Sequence, residues 1–220
     1  MVAASRRGDA RLMAAHCRRF NPNVALLHQL VARGQFGPLQ TITAGLGGPY
    51  GNWPQRTDFR RHRAAGGGVL LDLGIHLIDL AVWLTGARAT IAHYEATDTL
   101  GWGAENDAEV VLAFEGGTRA ILSCSYTHGL SRTLRVEGAD GWAHTSLDSA
   151  PMVTAFSRRS RLCTMAGAQH LLVDEVNPYQ LQLDHFVESV RLSRPFAVSL
   201  GDVLNGLQVI ERCYELERAA

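Results

Sequence analysis

The 220-residue sequence contains no lysine, and all 21 of its basic residues are arginine. Lysine is the side chain that forms Schiff bases and the cation that grips phosphates in a P-loop. Both chemistries are therefore excluded for these side chains. Any cationic side chain that contacts a ligand must be an arginine or a protonated histidine.

Cysteine is scarce, and net charge is absent. The four cysteines, Cys17, Cys124, Cys163 and Cys213, are too far apart for a C-x-x-C pair. This spacing argues against zinc and thioredoxin-like chemistry and favours a reduced, cytoplasmic protein. The formal net charge is zero and the pI about 7.1, which argues against binding of nucleic acid or an anionic membrane.

Long apolar runs are interrupted. The longest, at 66–86, contains Asp72, His76 and Asp79, so we expect no membrane span, which needs about 18 apolar residues. The arginine-rich residues 1–20 weakly resemble a transit peptide but lack the apolar core of a secretory signal.

Nucleotide and nucleophile motifs are also missing. G-x-G begins at 45 and at 101, but Tyr50 and Asn106 replace the third glycine of G-x-G-x-x-G. Neither site is predicted to follow a strand and open a helix, as phosphate binding requires. The motif G-x-S-x-G does not occur.

What the sequence does contain is one helical stretch around which the rest is organised, GGGVLLDLGIHLIDLAVWLTG at 66–86. At about 100° per residue, a helix brings Asp72, His76, Asp79 and Trp83 into one narrow arc. The other faces are apolar, which is typical of a buried helix. The polar stripe must therefore face a cavity, a partner or other polar groups.

Asp72 and His76 are spaced i and i+4 and can touch. A carboxylate beside an imidazole raises its pKa and fixes its tautomer, which suits general acid/base catalysis. Other interpretations stay open. Asp72 lies in the first helical turn, where the helix dipole favours a carboxylate. Asp79 could pair with an arginine, and His76 could be a core histidine bonded to a carbonyl.

The rest of the chain predicts an α+β fold. We expect an open, mainly antiparallel (mixed) sheet with helices on one face and a second subunit on the other. A short buried strand is expected at 11–16, and helices at 22–33, 177–192 and 203–218. Further strands are expected at 39–46, 90–97, 107–114, 118–126, 133–137, 142–147, 152–157 and 171–176.

A loop at 45–59 and a basic patch at 60–63 offer ligand contacts. Tyr50 and Trp53 are candidates for exposed rings that stack on a ligand, or they cap the core. Arg60 could hold an anionic group, or it belongs to a solvated face.

Three segments carry a resemblance to a family: C-R-R-F-N-P at 17–22, G-G-G-V-L-L-D-L-G-I-H-L-I-D at 66–79 and W-L-T-G at 83–86. With F-E-G-G-T at 114–118 and V-E-G-A-D-G at 136–141, the chain resembles the C-terminal half of Gfo/Idh/MocA oxidoreductases. The resemblance implies that residues 1–20 are a remnant of the last helix and strand of a Rossmann domain. Residues 21–220 would be the substrate-binding and oligomerisation domain.

The same resemblance implies NAD or NADP as cofactor, a sugar, inositol or polyol as substrate, and a homodimer or higher oligomer through the open sheet face. His76 would be the proton donor or acceptor, and Asp72 would assist it. Arg19 would position cofactor or substrate at the domain seam, and Tyr50, Trp53 and Arg60 would line the sugar pocket.

The family's Rossmann fingerprint and E-K-P lysine do not occur in this sequence. A fragment, a truncated gene model or a genuine short protein would each explain this. We expect the chain alone neither to bind a dinucleotide tightly nor to turn over a substrate. The alternatives are a non-catalytic sugar-binding or scaffold protein that pairs with full-length relatives, and glycoside cleavage on the same scaffold.

Overall fold

The structure is a computed structural model that describes residues 1–52, 57–148, 150–159 and 167–219. The helices are α1 (Val2–Arg7), α2 (Pro22–Ala32), α3 (Ile75–Thr85), α4 (Pro178–Arg191) and α5 (Leu200–Ala219), with a π-turn at Leu70–Gly74 that leads into α3 and 3₁₀ turns at Cys17–Phe20, Tyr50–Asn52, Phe59–Arg61 and Arg63–Ala65. The strands are β1 (Leu39–Gly47), β2 (Ala89–Thr97), β3 (Asp107–Phe114), β4 (Arg119–Ser125), β5 (Thr133–Gly138), β6 (Gly141–Ser146), β7 (Met152–Ser157) and β8 (Gln169–Leu172).

The eight strands form one sheet in the order β2-β3-β4-β1-β5-β6-β7-β8. Only the β1–β4 pair is parallel among these neighbours, and the other six pairs are antiparallel. The predicted fold class, an open and mainly antiparallel mixed sheet, is confirmed.

Side-chain alternation gives the sheet a buried and an outer face. On β1, Ile42 and Ala44 are buried whereas Thr43 is exposed, as period-two patterning requires. Helices α2, α3 and α5 pack against the buried face. Ile121, opposite Thr43 in the ladder, is 36% exposed on the outer face.

The central helix begins under a buried carboxylate. Glu105, 1% exposed, accepts the Leu70 amide proton at 3.0 Å, and its own carbonyl accepts that of Val69 at 2.9 Å. Gly68 has φ +108°, and a Cβ there would lie 2.3 Å from the Glu105 carboxylate. Glycine is therefore required at 68, both for the backbone conformation and for the close approach.

The strand predicted at 11–16 is wrong. These residues form no ladder with any strand in the described ranges, because no neighbouring edge lies beside them. The segment is nevertheless anchored to the rest of the fold. Arg11 donates to the carbonyls of Ser189 and Arg194 at the end of α4 and lies 4.4 Å from the Phe196 ring.

By length and composition alone, the helical stretch Arg63–Thr85, 23 residues, is apolar enough to cross a membrane. The three polar residues do not disqualify it. Its most apolar window is 72% buried inside the fold, against the sheet and α5. Its position as the core helix accounts for its composition.

Candidate active site

Asp72, in the π-turn, is held by two donors from other parts of the chain. The Tyr126 hydroxyl donates to its Oδ2 at 2.6 Å, and Arg60 Nε donates to the same oxygen at 2.9 Å. Burial, then the hydrogen bond to Asp72, raises the pKa of Tyr126, so its hydroxyl stays protonated. The bond to Asp72 likewise raises the pKa of Arg60. The carboxylate is therefore fixed by one neutral and one charged donor.

The side-chain hydrogen bonds that Asp72 accepts in the described residues come from Tyr126 and Arg60 and not from His76. A regular α-helix would align residues i and i+4, but the π-turn at Leu70–Gly74 adds a residue to the turn and changes this alignment. Within the described ranges, His76 Nδ1 is buried and has no hydrogen-bond partner. A core histidine bonded through Nδ1 to a carbonyl, one of the open interpretations, is therefore not what the structure has.

The pKa of His76 is shifted in the direction opposite to the one expected for an acid/base histidine beside a carboxylate. Burial first, then Arg18 and His16, lowers its pKa to about 4, and the opposing effect of Asp72 is smaller. The expectation of a raised pKa is wrong, because desolvation of the cation outweighs one carboxylate that is already engaged elsewhere. At neutral pH His76 is an uncharged imidazole, able to accept a proton.

Asp79 and Arg19 form a buried, bidentate ion pair. Arg19 Nε and Nη2 donate to the two Asp79 oxygens at 2.9 and 2.7 Å, and Nη1 donates to Asp202 at 3.0 Å and to the Ala197 carbonyl at 3.3 Å. Burial opposes the charge of Arg19, but Asp79 outweighs it and the pKa is raised.

The pairing of Asp79 with an arginine is confirmed. Arg19 is 4% exposed, and its hydrogen bonds in the described residues go to protein atoms, which is a structural role. The contact with cofactor or substrate stays a prediction. Trp83, the fourth residue of the predicted arc, stacks on His28 with ring centroids 3.8 Å apart.

Tyr50 is not the exposed ring that the sequence suggested. It is 6% exposed and packs edge-on against Tyr126 and Trp102, with centroids 5.4 and 4.8 Å away. The core-capping alternative is the one that the structure has. Trp53 lies outside the described residues.

Sequence reasoning missed Tyr126, His16 and Arg18 as neighbours of the site. Tyr126 directly follows β4, and the other two lie in or beside the 3₁₀ turn at Cys17–Phe20. No spacing signal links them to the central helix, because they are brought to it by tertiary packing. The sole hint for Arg18 was its place in C-R-R-F-N-P.

Within the described ranges, no strand passes through a glycine-rich turn directly into an α-helix. That unit is what holds a dinucleotide pyrophosphate in a Rossmann domain. The described residues therefore do not fit a dinucleotide by themselves.

An open mixed sheet that carries a buried helix with a fixed carboxylate and a neutral imidazole defines an α+β domain with a candidate acid/base site. The family model described as GFO/IDH/MocA C-terminal domain matches residues 24–144, more than half of the chain. The chain therefore belongs to the Gfo/Idh/MocA oxidoreductase family, as the motifs predicted.

Curated relatives agree with this assignment. Trans-1,2-dihydrobenzene-1,2-diol dehydrogenase of Sus scrofa is 32% identical over 149 residues, 65% of this chain and 42% of the relative. Rhizopine catabolism protein MocA of Rhizobium meliloti is 25% identical over 93% of this chain and 59% of its own length. The chain thus matches between two and three fifths of these relatives.

Solved structures share the fold. An aldose-aldose oxidoreductase from Caulobacter crescentus, complexed with glycerol, has a TM-score of 0.84 at 24% identity, covering 99% of this chain and 65% of that one. A 3-ketoreductase from Actinomadura kijaniata, in complex with NADP, has a TM-score of 0.78 at 18% identity, covering 93% and 62%.

Proposed function

We propose that this chain is the substrate-binding and oligomerisation portion of an NAD(P)-dependent oxidoreductase that acts on a CH–OH group of a sugar, inositol or related polyol. The observation that carries the proposal is the uncharged, partly buried His76 beside the fixed carboxylate of Asp72. The named activities of its relatives, a diol dehydrogenase and an aldose oxidoreductase, support the substrate class.

In this proposal His76 is the proton acceptor. Oxidation of an alcohol carbon releases a proton from its hydroxyl, and an uncharged imidazole can take it up. Asp72 lies close enough to favour the resulting imidazolium electrostatically. Tyr126 and Arg60 hold Asp72 in place while this happens.

Arg60 is the proposed substrate contact at the open side of the site. Its side chain is 24% exposed, and Nε is the atom that bonds Asp72. A guanidinium held this way can present its terminal nitrogens to a sugar hydroxyl. NAD or NADP is part of the proposal through a separate dinucleotide-binding unit, and a relative bound to NADP supports this.

Oligomerisation through the outer sheet face is part of the same proposal. Ile121 is 36% exposed there and lies between Val111 and Thr43 in the ladder. If the face pairs two copies, Ile121→Arg should convert a dimer to a monomer in light scattering. A monomeric wild type, or a dimer that tolerates the arginine, would contradict this part.

The proposed location is the cytoplasm. Cys17, Cys124 and Cys213 form no disulfide, which supports this location.

Substrate binding can be tested on the 220-residue chain without cofactor. We expect myo-inositol or an aldose to shift the NMR signals of His76, Tyr126 and Arg60, whereas cyclohexanol, which has a single hydroxyl, does not. Arg60→Gln should weaken binding about tenfold, the typical worth of one charged hydrogen bond. Arg119→Gln, an exposed arginine on β4, is the matched control and should leave binding unchanged.

Two outcomes would contradict the proposal. Shifts confined to the outer sheet face, or no shift with any sugar or inositol, would remove the substrate site. An ordinary rate of keto-sugar reduction by this chain with NADH would show that the dinucleotide site lies within it.

The second candidate is a non-catalytic sugar-binding or scaffold protein that pairs with full-length relatives. This candidate is favoured because the described ranges contain no strand, glycine-rich turn and helix in succession that could hold a dinucleotide. It predicts sugar binding that His76→Gln leaves unchanged. It also predicts mixed dimers with a full-length relative.

A further inference from the structure

Two imidazoles from distant parts of the sequence, His16 buried and His76 partly buried, are in contact beside the site. The His16 and His76 rings lie 5.9 Å apart between centroids, at 88° to each other. His16 is 6% exposed and directly precedes the 3₁₀ turn at Cys17–Phe20. Two like charges at this distance in a poorly solvated place repel each other strongly, so the pair cannot readily hold two protons.

The groups around His16 favour a proton there. Asp79 Oδ2 lies 3.6 Å from His16 Nδ1, and Asp202 lies beyond it, bonded to Arg19. Burial lowers the pKa of His16, and Arg19 adds a smaller lowering effect. Asp79 and Asp202 act in the opposite direction and raise it. A proton on His16 therefore has a carboxylate beside it.

The groups around His76 disfavour a proton. Arg18 and His16 face it, and both act against the imidazolium. Asp72 is the carboxylate that faces it, but its Oδ2 already accepts bonds from Tyr126 and Arg60. Of the two rings, His76 has the less favourable surroundings for positive charge.

We propose that His16 is a positioning residue for His76: the pair takes up its first proton on His16, and that charge, added to the effects of burial and Arg18, helps to keep His76 an uncharged base. This inference rests on the proposed role of His76 as proton acceptor. It extends that role, because the acceptor stays uncharged in mildly acidic solution while its neighbour takes the proton.

The order of protonation can be read by long-range ¹H–¹⁵N NMR of the histidine rings during a pH titration of the full chain. In the wild type we expect His16 to protonate at higher pH than His76. His16→Gln, which removes the charge and keeps a polar side chain, should raise the proton affinity of His76 about tenfold. His93→Gln, an exposed histidine on β2, is the control and should leave His76 unchanged.

The proposal is overturned if His76 protonates first, or if folded His16→Gln leaves the His76 titration unchanged. If that variant does not fold, His76→Gln gives a second measurement. Because His16 takes its proton while His76 is still uncharged, His76→Gln should leave the titration of His16 unchanged, and a raised proton affinity of His16 would show that His76 held the first proton and would overturn the proposal. None of these readouts needs substrate or cofactor, so they can fail or succeed independently of the proposed function.

Discussion

The hydroxyl of Tyr126 lies 2.6 Å from Asp72 Oδ2, so the residue that follows β4 fixes a carboxylate in the π-turn before α3. A hydrogen bond to a charged acceptor contributes roughly 1.5–3 kcal/mol. The bond joins the sheet to the central helix at the point where the proposed chemistry takes place.

Tyr126→Phe should therefore lower the free energy of unfolding by roughly 1.5–3 kcal/mol, measured by urea denaturation. Tyr94→Phe is a matched control, because the Tyr94 hydroxyl is buried without a hydrogen-bond partner in the described ranges. Removing it should be neutral or stabilising. Equal losses in the two variants would show that the Tyr126–Asp72 bond contributes nothing specific.

Asp79→Asn removes the bidentate ionic partner of the buried Arg19 guanidinium and leaves it only Asp202, since the Arg19 and Asp79 side chains are at most 3% exposed. We expect a loss of roughly 3–5 kcal/mol in unfolding free energy. Glu137→Gln breaks the exposed pair with Arg135 and should cost under about 1 kcal/mol. Thermal unfolding of both variants tests the contrast, and a small effect of Asp79→Asn would refute it.

Stability should fall as the solution is acidified from pH 6.5 to 4. In the unfolded chain His76 binds a proton near its ordinary pKa of 6.5, whereas in the folded chain it does so at about 4. The unfolded state therefore binds more protons in this window, and His76 alone removes on the order of 3 kcal/mol. His76→Gln should flatten this slope, whereas His93→Gln should not, and a slope that His76→Gln leaves intact would contradict the assignment.

Gly68→Ala should destabilise by more than about 2 kcal/mol, because the new methyl group would collide with the buried Glu105 carboxylate as well as strain the backbone. Gly103→Ala separates the two effects, since Gly103 also has positive φ, +76°, but open space around it. It should cost only the conformational penalty of roughly 1–2 kcal/mol. Guanidinium unfolding curves for the two variants give the comparison.

The sheet could be predicted from the sequence because its signals are local. Strand β3 is an apolar run and β4 alternates between exposed and buried residues; the two flank Glu115-Gly116-Gly117, whose two glycines have φ +89°. The segment at 11–16 was misread for the same reason. Its apolar residues look like a buried strand, but pairing depends on a neighbour that local sequence cannot supply.

The site was predictable only in part. Spacing identified Asp72 and His76, and the family motif assigned them proposed roles that stay proposals. The spacing could not foresee the π-turn, whose first amide, that of Leu70, is bonded to the distant Glu105 beside Gly68. The lowered pKa of His76 could not be foreseen either, because burial and Arg18 arise from packing.

The first strand of the chain lies in the middle of the sheet, and this bears on how the protein reaches its fold. Strand β1 pairs through Thr41 with Arg119 of β4 and through Ile42 with Val136 of β5. Strand β1 can therefore pair only after β4 and β5 are available, whereas the β3–β4 hairpin can form from neighbouring residues. Such long-range closure slows folding. During synthesis β1 leaves the ribosome with unpaired edges and the apolar residues Ile42 and Leu46 uncovered, which makes this segment the expected target of chaperones and the origin of aggregation.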